Sequence, residues 1–197
     1  MGKVIYIASK NTGKIKEYRN ALEKYGFEIH SLLDLNLNDV EETGETFFDN
    51  AFIKAHNLFK IVNKPVIADD SGLIVNSLPN ELGIKSKRFS PSHTDDDNID
   101  LLLHKLDGIV DRSAYFSTVI CLYINNADIR YYEGITNGEI CLSRVGNKGF
   151  GYDPIFKVFG TNKTYGELDL EEKQKLSHRG KAIDQLLKDI LYENIDF

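Results

Sequence analysis

Apolar and polar positions along this chain switch repeatedly between strand-like alternation and recurrence every three to four residues. Lys3 to Ala8 reads as a short apolar strand, followed by the polar run Ser9-Lys10-Asn11-Thr12-Gly13-Lys14. Ile15, Tyr18, Leu22 and Tyr25 then recur at helical spacing, with Gly26 as the stop. A wider stripe of Phe48, Ala51, Phe52, Ala55, Leu58, Phe59 and Val62 predicts a second helix. Thr46, with Asp49 three residues on, predicts its capping arrangement. Val66 to Val75 is apolar on both sides of Asp69-Asp70-Ser71-Gly72. That pattern predicts a pair of strands that meet at the surface, where the acids, serine and glycine form the link.

Farther along, Thr94 is the expected cap of a helix over Asp95 to Leu106, with Ile99, Leu102, Leu103 and Leu106 inward. Residues 113–124 are β-branched and aromatic and predict a long strand. Asn125 to Asp128 turns it into a hairpin partner over Ile129 to Thr136, with Gly138 to Leu142 as a further short strand. Ser177 fits the N-cap of a last helix whose face is Ile183, Leu186, Leu187, Ile190 and Leu191.

Composition narrows the classes. With 197 residues, 42% of them hydrophobic, the chain can bury most of its apolar surface in a single domain over 1–197. It has no uncharged apolar run of about 18 residues, so no membrane span is expected. The start, Met1-Gly2-Lys3, is too short and interrupted for a signal peptide, and Gly2 is a weak match to a myristoylation signal. Cys121 and Cys141 fall in apolar segments and read as buried free thiols, which fits a reducing cytoplasm. The net charge of −6 comes without a dominant basic stripe, which disfavours nucleic acid as the main partner. A small phosphorylated ligand stays compatible, because a few converging lysines and arginines act locally.

The chemistry concentrates in five segments. The hexapeptide Ser9 to Lys14 sits where free backbone N–H groups at a helix start can meet an anion. Glu41-Glu42-Thr43-Gly44-Glu45 is a carboxylate-rich loop. Asp69 and Asp70, side by side, repel each other and resist dehydration, a conflict that Mg²⁺ or Mn²⁺ beside them would relieve. The plainer alternative is a solvated turn. Asp95-Asp96-Asp97 lacks the spacing of a calcium loop and reads as ordinary first-turn acids. His178 and Arg179 place two donors in a first helical turn, where the helix dipole disfavours them unless an anionic or acceptor-rich partner is present. Lysines for phosphate, carboxylates for metal, a hydroxyl at Ser71 and an aromatic at Phe150 together describe a nucleoside-phosphate site. The Walker spacing is absent.

These segments resemble, in order and over nearly the whole chain, the inosine/xanthosine triphosphate pyrophosphatase family. The matching motifs are Ser9-x-Asn11-x-x-Lys14, Glu41-Glu42-Thr43-Gly44 with Asn50-Ala51, and Ala68-Asp69-Asp70-Ser71-Gly72-Leu73. Phe150-Gly151-Tyr152-Asp153-Pro154-Ile155-Phe156 and Glu172-Lys173 leading to Ser177-His178-Arg179 complete them. The resemblance implies an α/β fold, an elongated mixed β-sheet with flanking helices forming two lobes around a central cleft, in a homodimer. It implies that Ser9, Asn11 and Lys14 hold a triphosphate, with Lys10, Thr12 and Gly13 in the same substrate-binding loop. Glu42 and Asp70 are implied for Mg²⁺, with Asp70 also the acceptor of a proton from the attacking water and Ser71 at phosphate. Phe150, Gly151, Tyr152, Asp153, Lys173, His178 and Arg179 are implied for the nucleoside end. The implied activity is cleavage of non-standard purine nucleoside triphosphates (ITP, dITP, XTP) to monophosphate and pyrophosphate, in the cytoplasm. Two rivals stand beside it, a pyrophosphatase with another base preference and a non-catalytic nucleotide-binding module.

Overall fold

The computed structural model describes residues 3–192, so Gly2 lies outside it. Its elements, in chain order, are β1 (Lys3–Ile7), α1 (Thr12–Leu22), β2 (Phe27–Ser31), α2 (Phe47–Val62), β3 (Val66–Val75), α3 (Asp95–Lys105), β4 (Ser113–Asn125), β5 (Asp128–Ile140), β6 (Phe156–Val158), α4 (Leu170–Leu176) and α5 (His178–Tyr192). The strands form one six-stranded sheet in the order β2-β1-β3-β4-β5-β6. Its pairing is mixed: β1 runs parallel to β2 and β3, and β5 runs antiparallel to β6. No helix among the described residues is long and apolar enough to cross a membrane.

The chain divides into two compact units, Met1–Asp70 with Thr118–Gly134 and Arg179–Phe197, and Ser71–Ser117 with Ile135–His178. In the first, successive strand residues face opposite sides of the sheet. Ile5, Ile7, Ile67, Ile120 and Leu122 pack with Tyr18, Ala21 and Leu22 of α1 and Ala182, Ile183, Leu186 and Ile190 of α5. Their neighbours Val66, Ala68, Val119, Cys121 and Tyr123 pack on the other face, with Ala51, Ala55 and Leu58 of α2. The helix termini follow local chemistry. Thr46 and Asp49 form the expected capping box of α2, and Gly26, at φ 84°, ends the turn after α1.

In the second unit Leu73, Val75, Leu102, Leu106, Phe116, Phe156 and Tyr165 share one core. Thr94 caps α3 by accepting from the Asp97 N–H. Arg112 closes the unit, donating to the carbonyls of Leu106, Ile140 and Cys141 at 2.7–2.8 Å. Both cysteines are free, Cys121 buried and Cys141 half-buried.

The structure corrects four expectations. Val66 to Val75 is one continuous strand, and Asp69 and Asp70 are buried within it at 2% and 6% exposure. Gly72 serves close packing here: a Cβ on it would lie 2.0 Å from the Gly83 carbonyl oxygen. The two strands expected over 129–142 are one, because Gly138 stays in the ladder opposite Val158. Tyr25 and Leu191, assigned to helix faces, are exposed, since α1 ends at Leu22 and the buried face of α5 ends at Ile190.

Candidate active site

Strand alternation decides the fate of the adjacent acids. Asp69 shares the parity of Ile67 and points toward α1 and α5, whereas Asp70 shares the parity of Ala68 and points toward α2. The two carboxylates therefore meet different partners instead of each other.

On Asp69, one oxygen, Oδ2, lies 3.0 Å from the Lys14 ammonium and accepts from Arg179 Nε at 3.1 Å. Thr118 Oγ1 donates to the same oxygen at 3.4 Å. Arg179 Nη1 donates to Glu17 Oε2 at 2.6 Å, completing a buried chain of alternating charge. Burial alone would push the Asp69 carboxyl up, but Lys14 and Arg179 outweigh it and hold the group well below the usual carboxylate range. Burial lowers Lys14 from its ordinary value despite Asp69, so its charge is retained less firmly than that of a surface lysine. Arg179 is raised, because Asp69 and Glu17 overcome its desolvation. Asp69 thus acts as a hub for side-chain cations, in place of the solvated turn position its composition allowed.

On the opposite face, Asp70 Oδ2 accepts from Asn50 Nδ2 at 3.0 Å, and Lys54 Nζ lies 3.5 Å from Oδ1. The same ammonium donates to Glu42 Oε1 at 2.7 Å. Burial works against the charge on Lys54, but Asp70 and Glu42 more than offset it, so its pKa is raised. One cation thus gathers Glu42 and Asp70. Among the described residues no group of three or more His, Cys, Asp or Glu side chains converges as a metal cage. Two carboxylates nevertheless fit Mg²⁺, which is commonly held by one or two carboxylates together with water and substrate phosphate.

The phosphate-loop candidates build the start of α1. Asn11 Oδ1 caps the helix by accepting from the Lys14 N–H at 3.0 Å, and Ser9 Oγ accepts from the Asn11 N–H at 3.1 Å. Lys10 reaches Asn38 Oδ1 at 3.0 Å, Thr12 is exposed, and Gly13 is half-buried in the first turn. With no acid in that turn, its electrostatics favour an anion.

The second unit holds the remaining candidates. Asp153 Oδ2 accepts from Lys173 Nζ at 2.6 Å and from the Phe150 N–H at 2.8 Å. The same ammonium lies 4.5 Å from the centroid of the Phe150 ring and 5.5 Å from that of Tyr165. Gly151 donates its N–H to Asp95 Oδ2 at 2.8 Å. Tyr152 is a core residue, its hydroxyl donating to the Ser86 carbonyl at 2.7 Å, so its backbone is what it can offer a ligand. His178 stacks on Phe116, with centroids 4.6 Å apart and rings 9° from parallel. Ser71 is half-buried in β3, next after Asp70. The Asp95–Asp97 turn engages protein groups: Asp95 meets Gly151, Asp96 meets Arg144, and Asp97 meets Ser92.

The structure therefore gathers Lys14, Glu42, Asp70 and Arg179 with partners in the first unit, and Phe150, Asp153, Lys173 and His178 with partners in the second. In the first unit Glu17, Lys54 and Thr118 escaped the sequence reading, and in the second Tyr165 beside Lys173. Lys54 carried a legible signal, because it falls four residues after Asn50 on the buried side of an apolar helix, between Ala51 and Ala55. Glu17 and Thr118 carried none, since their partners are remote in sequence.

A family model described as the Ham1 family matches residues 5–189. A dITP/XTP pyrophosphatase of Halalkalibacterium halodurans is 45% identical over 92% of this chain and 96% of its own length. Another, from Bacillus subtilis, is 41% identical over 92% and 94%. Among solved structures, the Staphylococcus aureus Ham1 protein superposes with a TM-score of 0.84 at 40% identity, covering 97% of this chain and 100% of that one. A HAM1 protein from Coxiella burnetii gives 0.86 at 38% identity, covering 97% and 99%.

Proposed function

The chain belongs to the Ham1 family, and we propose that it hydrolyses non-standard purine nucleoside triphosphates (dITP, ITP and XTP) to the monophosphate and pyrophosphate. The observation that carries this reading is the convergence of Glu42 and Asp70 on the Lys54 ammonium. Two carboxylates gathered on one cation form an ion site that a polyphosphate can complete. Its relatives from Halalkalibacterium halodurans and Bacillus subtilis are dITP/XTP pyrophosphatases, which supports the substrate class.

A nucleoside triphosphate brings about four negative charges, which must be offset before a nucleophile approaches phosphorus. Lys14, the start of α1 with Ser9 to Gly13, and Ser71 take up the phosphates. Lys54 is a further amine for the same task, since it lies within reach of both acids. Glu42 and Asp70 would hold Mg²⁺, which supplies charge neutralisation and eases deprotonation of water. Asp70 accepts a proton from the water that attacks the α-phosphorus, as the bond from that phosphorus to the departing pyrophosphate oxygen breaks. Asp69 keeps Lys14 and Arg179 in place.

Phe150 offers a ring face to the base, and Gly151, Tyr152, Asp153, Lys173, His178 and Arg179 complete the nucleoside end. Base choice follows from donor and acceptor logic. Hypoxanthine and xanthine present an acceptor at O6, whereas adenine presents an amine there. A donor-lined pocket leaves that amine unpaired, a mismatch that can separate substrates by ~10⁴. The same reading has a single domain working as a cytoplasmic homodimer on free nucleotides, without nucleic acid or membrane.

Pyrophosphate release from dITP, ITP, XTP, GTP, ATP, dUTP and modified pyrimidine triphosphates, measured with Mg²⁺, tests the reading. Pyrophosphate from the first three with little turnover of ATP is expected. Conversion of ATP to ADP with orthophosphate would overturn it. Preference for a modified pyrimidine would move the chain to the other base class, and tight ITP binding without product would make it a non-catalytic module.

A further inference from the structure

Asn50 is buried to 1% exposure on the inner face of α2, where an amide survives only if its hydrogen bonds are made. Both ends are used. Nδ2 donates to Asp70 Oδ2 at 3.0 Å, and Oδ1 accepts from the Gly44 N–H at 2.9 Å. One amide thus ties the loop that carries Glu42 to the strand that carries Asp70. Lys54, one helical turn on, spans the same two elements, to Glu42 Oε1 at 2.7 Å and Asp70 Oδ1 at 3.5 Å. The two ties differ in kind. An ammonium competes with any incoming cation for the carboxylates, whereas a neutral amide does not.

The loop is shaped to the amide. A Cβ on Gly44 would lie 2.8 Å from Asn50 Oδ1 and 2.4 Å from Asp49 Cβ, so this close seat requires glycine. The capping box of Thr46 and Asp49 closes the first turn of α2 just before Asn50.

We propose that Asn50 is a positioning residue that sets the spacing of Glu42 and Asp70, so that the two carboxylates remain arranged for a divalent cation after Lys54 is displaced. This rests on the assignment of Glu42 and Asp70 as the metal carboxylates. Side chains that orient metal ligands without touching the ion commonly change metal affinity 10–100-fold when removed.

The test is Mn²⁺ binding to the nucleotide-free protein, followed by loss of the free-ion electron paramagnetic resonance signal. Asn50→Ala cuts the amide tie, and Gly44→Ala pushes the loop off it while leaving the bond between Asn50 and Asp70 in place. Both are expected to weaken Mn²⁺ about tenfold. Having two routes to the same displacement covers the case in which one variant fails to fold. Thr46→Ala, which weakens the helix without touching the tie, is expected to leave Mn²⁺ affinity unchanged. Equal weakening in Thr46→Ala would reduce the effect to helix stability and overturn the proposal. Glu42→Gln and Asp70→Asn are titrated alongside. If they leave Mn²⁺ binding intact, the metal assignment falls and this proposal with it. If they weaken it while Asn50→Ala and Gly44→Ala do not, the proposal alone falls.

Discussion

The two units bury charge by different means. In the first, cations and carboxylates alternate: Glu17, Arg179, Asp69 and Lys14 on one face of the sheet, and Asp70, Lys54 and Glu42 on the other. In the second, the Lys173 ammonium meets the Asp153 carboxylate and spreads its field over the faces of Phe150 and Tyr165. Alternating charge makes every member depend on its neighbours, because removing one leaves another buried and uncompensated. Aromatic faces tolerate loss better, since a ring is also satisfied by an apolar contact.

Four experiments would break or sharpen this contrast. The largest effect is expected from Asp70→Asn, which keeps an oxygen to accept from Asn50 but removes the negative charge. Pyrophosphate release should fall about 10³-fold, whereas the melting temperature should fall only modestly, because Lys54 keeps its closer partner Glu42. Near-normal turnover would take Asp70 out of the chemistry. Next comes Arg179→Met, which strips the guanidinium from two buried carboxylates. Urea unfolding should show a loss of about 4 kcal/mol. Lys173→Met, the counterpart in the second unit, strips the ammonium from Asp153 and should cost less, about 3 kcal/mol, because the methionine can pack against Phe150 and Tyr165. The reverse ranking would erase the distinction between the units.

The smallest effect lies in the acid limb of stability. Asp69 is depressed in the folded chain, so in the window below the ordinary aspartate range of about 3.9 the unfolded chain binds more protons. Its contribution is therefore fully present near neutral pH and drains away as pH falls, reaching a loss of about 1 kcal/mol by pH 3. Urea titrations of the parent chain and Asp69→Asn, compared from pH 6 to pH 3, should show this loss in the parent alone. Parallel acid limbs would mean that Asp69 is not held by Lys14 and Arg179 in solution.

Much of the fold was legible before any coordinates. Thr46 with Asp49, Thr94 and Gly26 punctuate helices as their side chains and backbone freedom require, and the stripe from Ala51 to Leu58 marks a buried face. The functional segments were legible too, through their order and residue types. The setting of the acids was not. Asp-Asp-Ser-Gly has the composition of a turn, but it belongs to a strand that lies between β1 and β4 in the sheet, neighbours remote in sequence.

Sequence alone determined which segments form helices and where Thr46, Thr94 and Gly26 punctuate them, because those choices depend on groups within a turn or two of one another. It also determined that carboxylates, amines and an aromatic recur at element junctions in an order shared with a known family. Tertiary structure decided what each charge faces. Neighbouring residues of a strand point to opposite sides of a sheet, so Asp69 went to Lys14 and Arg179, 55 and 110 residues away, while Asp70 went to Asn50, 20 residues away. Partners that distant leave no local trace in the chain, and burial, which sets the strength of every such contact, exists only once the sheet has formed.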